Sequence, residues 1–313
     1  MNITKHFFSL LTLVFVLFQQ SVTAQQISLS NQYLVNRFSL SPAYAGAGDI
    51  FGVYGSYRRD WMGVAGSPET KIISANGLVC KNMGLGGSIS SIQAGIFTNL
   101  SAMVQYAYHV KFSGSTFLSI GLGLGVLENH ADLSNANNDS QIDPVITNMD
   151  RTSSMIDMSA GLLFRHKNLH LGISAPRLRA NHRSDKQSYY LWPQRQAHLG
   201  YKLAINKTWA IDPIMIVSFP KDAPVFYEVA VPIIYQQKVW LTLTNKKTCN
   251  AVGIGTVLKG NFVLNYTYEF SGKGMAKGNG THEITLGWKL LNKKISDQPK
   301  PDKKKPYLDW INK

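Results

Sequence analysis

Histidine and serine side chains are the first candidates for chemistry in this sequence. Ser101 and His109 fall on the same face of a strand-like segment, which would suit a nucleophile and its general base. They are eight residues apart, however, and a strand rises about 3.3 Å per residue, so the two side chains cannot touch. A Gly-x-Ser-x-Gly turn is also absent. The pattern does not favour a hydrolase, and no catalytic residues are predicted.

Metal ligation is no better supported. His166 and His170 are four residues apart, but a turn intervenes, so the two-histidine spacing of a metal-binding helix does not apply. A loop rich in Asp and Asn has oxygen ligands for calcium, yet it lacks the glycine and the final glutamate of an EF-hand. Its members are Asp132, Asn135, Asn137, Asp139 and Asp143. No metal or cofactor is predicted.

The cluster Arg58-Arg59-x-Trp61 is a candidate binding site for a partner chain. Two cations beside an aromatic ring can hold an acidic or aromatic segment. The alternative is that the arginines line an inner wall, bonded to Asp or Glu, or bind lipid phosphate. Further candidate partner-binding residues are Pro42 and Tyr44 near the N-terminus and Tyr307 and Trp310 near the C-terminus.

Composition narrows the class of protein that must position these residues. Of 313 residues, 16% are charged and 44% are hydrophobic, and the formal charge is +14. A soluble domain has about 25% charged residues. This balance excludes a disordered chain, a collagen and a coiled coil, and two cysteines exclude a disulfide-dense scaffold.

The N-terminus predicts export. A basic lead, Met1–Lys5, precedes an apolar stretch, Phe7–Phe18, and small residues end at Ala24. We interpret residues 1–24 as a signal peptide that is cleaved before Gln25. No later apolar run reaches the roughly 18 residues of a membrane helix. Export and the absence of a recognisable module argue against nucleic acid as a partner.

Period-two alternation dominates the mature chain. In residues 100–112 the even positions are apolar and most odd positions are small or polar, as in a strand with two unlike faces. Such segments run about 10 to 13 residues, enough for a tilted transmembrane strand, which needs about 9–11. About 14 are predicted, centred on Tyr54, Ser74, Ser88, Val104, Leu122, Ala160, Gly172, Tyr201, Met215, Ala230, Leu241, Ile254, Asn265 and Leu286.

The connections between these segments fall into two sets. Every long connection, such as 60–68, 128–153 and 178–193, lies on one side, and the other side has tight turns. Outer-membrane barrels have this asymmetry, with the short turns in the periplasm. The prediction is an all-β fold, a transmembrane antiparallel outer-membrane β-barrel over residues 50–291, with both termini in the periplasm. A secreted soluble β-sandwich or propeller is the alternative fold.

Several finer expectations follow from the barrel. Cys80 and Cys249 fall at opposite ends and are not expected to pair. Seven aromatic residues near strand ends are candidates for the interfacial belt, although ordinary core or loop contacts are the alternative. They are Trp61, Tyr106, Tyr108, Trp192, Trp209, Trp240 and Trp288. The basic excess favours lipopolysaccharide phosphates as neighbours, with Arg177, Arg179, Arg183, Lys186 and Arg195 gathered at one outer loop.

Two segments flank the barrel. Residues 25–49 form an N-terminal arm that either plugs the lumen, where Gly121, Gly123 and Gly125 would leave room, or lies in the periplasm. Residues 292–313 carry seven Lys, three Asp and three Pro, and predict a flexible, basic periplasmic tail.

Five groups of residues, taken together, form a pattern that is found in a known family. They are Gln32-Tyr33 with 41–46; Tyr57–Trp61 with Gly63, Gly66 and Pro68; Tyr106–Tyr108 with 118–121, 132–134 and 143–145; 159–161 with 171–174; and 280–284. With these motifs the chain resembles the PorP/SprF family of outer-membrane proteins, which serve type IX secretion and gliding motility in Bacteroidetes. The resemblance covers residues 30–290. It departs at Ser41, where the family prefers Asn, and in the longer lysine-rich tail.

The resemblance implies a non-enzymatic barrel that assists secretion or surface anchoring of a large adhesin-type cargo. It also implies contact with the periplasmic ring and lipoprotein components of the secretion machine, and it transfers no catalytic residues. Two alternatives stay open: a small-solute outer-membrane channel or transporter, and a barrel hydrolase that uses His109 or His170.

Overall fold

A computed structural model describes residues 30–48, 50–113, 115–132, 152–178, 194–220, 224–270 and 279–291. The predicted signal peptide 1–24 and the predicted tail 292–313 lie outside these residues. The strands are β1 Ile50–Arg59, β2 Glu69–Cys80, β3 Met83–Ala94, β4 Phe97–Ser113, β5 Thr116–Ala131, β6 Thr152–His166, β7 Leu169–Arg177, β8 Gln194–Tyr201, β9 Leu203–Ala204, β10 Trp209–Ile211, β11 Ile214–Pro220, β12 Phe226–Tyr235, β13 Val239–Lys246, β14 Asn250–Val257, β15 Phe262–Glu269 and β16 Thr281–Leu291. The 3₁₀ turns are Asn31–Leu34, Arg37–Ser39, Pro42–Tyr44 and Lys259–Asn261. Within this part of the chain, no helix is long and apolar enough to cross a membrane.

The strands close into an antiparallel barrel. Sequential neighbours pair along the ring, and β1 pairs with β16, so the described sheet has no free edge among its 14 ring strands. Each of the 14 predicted strand centres lies in a ring strand, which confirms the predicted fold and strand number. In lipid, closure is what allows every backbone group of a sheet to be paired.

The ring is irregular near the short-turn end of β8 and β11. The short strands β9 and β10 continue β8 and β11 beyond Lys202 and the pair Asp212-Pro213. Pro213 has no N–H group to donate to the ladder, so pairing breaks there. The break leaves Lys202 and Asp212 buried.

The outer face of the barrel is apolar and the inner face is polar. Val104 and Leu124 are 67% and 61% exposed, whereas the adjacent Gln105 and the Ser119 side chain are buried. A soluble sandwich has the opposite arrangement, with an apolar core between its sheets. The inverted pattern is that of a transmembrane barrel, and the soluble alternative is therefore wrong.

Aromatic side chains gather on the outer face near the short-turn end. Phe51, Trp209, Phe262 and Trp288 are all exposed there, at the level expected for a membrane interface. Trp240 was a candidate for this belt, but the structure turns it inward, where its Nε1–H donates to Asn265 Oδ1 at 2.9 Å. Trp192 lies outside the described residues.

The two ends of the barrel differ as predicted. Turns at 81–82, 167–168 and 236–238 occupy one end, which we call the short-turn end. The connections 60–68, 132–151 and 178–193 leave from the other, the long-connection end. Both Cys80 and Cys249 are free, which confirms that they do not pair.

Candidate functional site

Residues 30–48, here called the arm, lie inside the barrel. Residues 31–38 and 40–46 are buried. The arm forms three short 3₁₀ turns because three side chains cap its backbone within twelve residues. Ser30, Asn36 and Ser41 accept hydrogen bonds from the N–H groups of Gln32, Phe38 and Ala43.

A buried group of charges stands on the wall near the long-connection end. We call Arg58, Glu228, Lys246, Glu269 and Glu283 the mouth cluster. Arg58 Nη1 lies 2.7 Å from Glu269 and 3.2 Å from Glu283, and Lys246 Nζ lies 2.6 Å from Glu269. Buried charges are tolerated only when paired in this way.

The mouth cluster holds the first residues of the arm. Asn31 Nδ2 donates to Glu269 at 2.8 Å and to Glu283 at 2.9 Å, and the Asn31 backbone N–H donates to Glu283 at 2.9 Å. The Tyr33 hydroxyl donates to Glu228. Hydrogen bonds to ionised partners are the stronger kind, so the arm is fixed firmly at this end.

The last residues of the arm are held near the short-turn end. Ser119 Oγ donates to the Ala43 carbonyl at 2.6 Å, His109 Nε2 lies 2.9 Å from the Ala45 carbonyl, and Arg165 donates to the Ala47 carbonyl at 3.1 Å. His109, Ser119 and Arg165 are close to the ends of β4, β5 and β6 at the tight turns. The arm therefore runs through the lumen from the long-connection end to the short-turn end.

Wall glycines make room for the arm. A Cβ on Gly121 would lie 2.2 Å from the Ala43 nitrogen, and one on Gly84 would lie 1.9 Å from the Ala45 carbonyl oxygen. Such contacts are impossible for a real side chain. Gly123 and Gly125 instead face neighbouring wall residues.

The structure separates the residues of the candidate cluster 58–61. Arg58 points into the lumen, with its side chain 3% exposed, and Arg59 points outward, 40% exposed and paired with Glu69 at 3.2 Å. Trp61 stands in the following loop at a φ of 45°. The three side chains therefore do not form one binding surface.

The other candidate residues have different surroundings. Pro42 and Tyr44 are buried in the lumen, and the Tyr44 hydroxyl lies 2.9 Å from His198 Nε2. Tyr307 and Trp310 lie outside the described residues. His109 lies 2.8 Å from Ser119 Oγ rather than near Ser101, and this pair supports the arm. No group of three metal-ligating side chains occurs among the residues that the structure describes.

The acids of the mouth cluster were missed by sequence reasoning. Glu228, Glu269 and Glu283 each occupy an inward position near a strand end on the long-connection side. The alternation pattern could have marked each of them as an inward acid at the same end of the barrel, but it does not show that they meet at Arg58.

Comparison with known proteins identifies the family. Residues 22–288 match the family described as type IX secretion system membrane protein PorP/SprF. A search of curated proteins gave no match.

Solved structures similar to this chain are barrels of low sequence identity. The toluene transporter TbuX of Ralstonia pickettii is 7% identical over 80% of this chain and 91% of its own, with a TM-score of 0.46. The toluene transporter TodX of Pseudomonas putida is 8% identical over 84% and 94%, with a TM-score of 0.43. The KdgM porin is 10% identical over 76% and 98%, with a TM-score of 0.37.

The family match extends over nearly all of the barrel and includes the arm. This chain belongs to the PorP/SprF family of type IX secretion system membrane proteins.

Proposed function

We propose that this protein is a non-enzymatic outer-membrane barrel that assists secretion or surface anchoring of a large adhesin-type cargo. It contacts the periplasmic ring and lipoprotein components of the type IX secretion machine. Family membership supports a role in this machine, and the family and fold are those of secretion and transport proteins.

The filled lumen is the observation that favours an anchor over a solute channel. The arm is hydrogen-bonded to the wall at both ends, through Asn31 at one and Ala43–Ala47 at the other. A solute path through the barrel would require these buried bonds to break, each at a cost of about 1–3 kcal/mol. The arm serves as a plug, and the working surfaces are the two ends of the barrel.

The periplasmic surface is the short-turn end, because short turns of outer-membrane barrels face the periplasm. Strand β16 ends there at Leu291. The basic tail 292–313, with Tyr307 and Trp310, therefore starts in the periplasm. There it supplies the contact with the secretion ring.

The orientation of the arm gives the N-terminus a different location. Ser30 lies at the long-connection end, where its hydroxyl donates to Glu283 at 2.5 Å. After cleavage behind Ala24 only five residues precede it, and they reach at most about 18 Å. That is less than the ~30 Å hydrocarbon core. We therefore propose that the mature N-terminus lies at the cell surface, in contrast to the expectation that both termini are periplasmic.

Cargo is held at the long-connection end. Arg59 and Trp61 both stand at this mouth and are partly exposed. Lipopolysaccharide phosphates are the neighbours of basic residues on the outer rim, such as Arg195.

Affinity isolation from native membranes in mild detergent tests this function. The tagged full-length chain is expected to bring down a secreted adhesin-type protein together with periplasmic ring proteins. A Tyr307→Ala/Trp310→Ala variant should lose the ring proteins and keep the cargo, whereas the matched tail variant Lys300→Ala should keep both. Isolation of the barrel alone, with unchanged secretion in a strain that lacks it, would contradict the proposal.

A further inference from the structure

A pocket opens beneath the arm toward the short-turn end. Its cavity volume is about 50 Å³, and it is partly open to solvent. The arm contributes Arg37 and Tyr44, and the wall contributes Tyr54, Asn76, Arg165 and Lys289. Lys289 and Arg165 are both close to strand ends at the tight turns, so the pocket lies near the short-turn end.

The lining of this pocket is strongly cationic. Arg37, Arg165 and Lys289 carry positive charge, and none of the described residues that line it is acidic. Two of the cations rest over aromatic rings: Arg165 lies 4.7 Å from the centre of the Phe117 ring and Lys289 lies 6.0 Å from that of Tyr54. Like charges gathered around one space repel, and a bound anion relieves that repulsion.

Arg37 supplies a second, independent sign of a ligand. Arg37 is only 6% exposed, and its Nη2 is 3.0 Å from Asp212 Oδ2. Its Nε and Nη1, however, have no hydrogen-bond partner in the described structure. A guanidinium group has five N–H donors in a planar fork, and buried donors without acceptors are costly. An oxyanion would supply such acceptors.

We infer that this pocket binds a compact oxyanion, a phosphate or carboxylate group, with Arg37 as the hydrogen-bonding fork and Arg165 and Lys289 as flanking charges. The group comes either from a free small anion or from an acidic side chain that enters from the periplasm. Because Arg37 belongs to the arm and the other two cations belong to the wall, the bound anion fastens the arm to the barrel. The inference goes beyond the role in secretion and does not depend on it.

Calorimetric titration of the purified full-length protein with inorganic phosphate tests the site. The ionic strength is held constant with sodium chloride, so that general screening does not contribute. We expect saturable binding of one phosphate per chain. Lys289→Gln and Arg165→Gln should each weaken it about tenfold, the effect of losing one charge-assisted contact.

Matched variants separate the site from general basicity. Lys259→Gln removes the same charge from an exposed turn at the same end and should leave binding unchanged. Lys289→Arg keeps the charge and should retain binding if Lys289→Gln fails to fold. Asp49→Asn is titrated in parallel because this carboxylate directly follows Gly48 in the sequence, and tighter binding by that variant would support the site.

A glutamate-rich pentapeptide distinguishes the two sources. Tighter binding of the peptide than of phosphate assigns the site to a polypeptide side chain, and the reverse order assigns it to a free anion. Absence of saturable binding for both ligands would overturn the inference. Equal binding by the wild type, Lys289→Gln and Arg165→Gln would do the same. Neither result would affect cargo isolation, so the proposed function is tested separately.

Discussion

Arg58 and Glu269 form a buried, two-pronged ion pair across the strands β1 and β15. Nη1 lies 2.7 Å from Oε1 and Nη2 lies 2.9 Å from Oε2. The same Oε1 accepts from Asn31 of the arm at 2.8 Å. The Glu269 carboxylate on the wall therefore binds both Arg58 and the arm. A change at Glu269 or Arg58 should affect the stability of the barrel and the position of the arm together.

Arg58→Gln is expected to destabilise the barrel strongly, because it leaves Glu269 and Glu283 buried without their shared cation. Breaking a buried pair costs about 3–5 kcal/mol. The matched variant Arg59→Gln removes a neighbouring arginine that is 40% exposed, and it should cost less than about 1 kcal/mol. Urea unfolding of the protein in lipid vesicles measures both. Equal losses of unfolding free energy for the two variants would show that the buried ion pairs of Arg58 stabilise the barrel no more than the exposed pair of Arg59.

Gly121→Val is expected to displace the arm while the barrel stays closed. The new side chain would collide with Ala43, whose nitrogen lies 2.2 Å from a Cβ at this position. Gly55→Val is the control, since a Cβ there meets nothing within 4 Å. Limited trypsin digestion measures the displacement of the arm, because the buried Arg37 becomes accessible to trypsin only when the arm leaves its place. The wild type and Gly55→Val should resist cleavage after Arg37. Resistance in Gly121→Val would mean that the arm does not need this space.

The alternation of residues 100–112 and 118–126 was enough to predict strands, their inner and outer faces and the closed barrel. Side-chain direction in a strand depends only on position, so local sequence contains it. The partners of Arg58 were not predictable in this way. Glu269 and Glu283 are more than 200 residues away, and closure of the ring alone brings them together.

Trp240 and Asp212 show two other limits of the sequence. Trp240 alternates with the exposed Val239 and Leu241, so its inward direction follows from its position in β13. Its partners are not local: Gly255 leaves space beside its ring and Asn265 accepts its N–H. The break at Asp212-Pro213 places an acid where Arg37 of the arm can reach it. The path of the arm depends on such contacts, which a strand pattern does not contain.

An epitope inserted between Gln25 and Gln26 is expected to be accessible to antibody on intact cells. The reason is that Ser30 lies at the long-connection mouth and five residues cannot return through the membrane. An epitope added after Lys313 should be accessible only in permeabilised cells. Labelling of the C-terminal epitope alone on intact cells would reverse the assigned orientation.

Cys249 is expected to react far more slowly with maleimide than Cys80 in the solubilised protein. Burial and the nearby Glu269 raise the pKa of the Cys249 thiol to about 11, and the thiolate is the reactive form. Its thiolate fraction at pH 8 is about one in a thousand and rises about tenfold per pH unit until the pH approaches the pKa. Cys80 is exposed at the end of β2.

Single-cysteine proteins isolate the two rates. Cys249→Ser retains Cys80 and should label rapidly, and Cys80→Ser retains Cys249 and should label slowly with the steeper pH dependence. Similar labelling rates for the two cysteines at pH 7 would indicate that Cys249 is open to solvent, and would contradict its burial at the long-connection mouth.

The most direct test of a plugged anchor is conductance in planar lipid bilayers. The wild-type barrel is expected to show no steady current, because the arm closes the lumen. A variant that lacks residues 30–48 should give a stable, ohmic conductance, since a 14-stranded ring then has an open interior. A steady open current from the wild type, equal to that of the deletion variant, would contradict the plug and favour a solute channel.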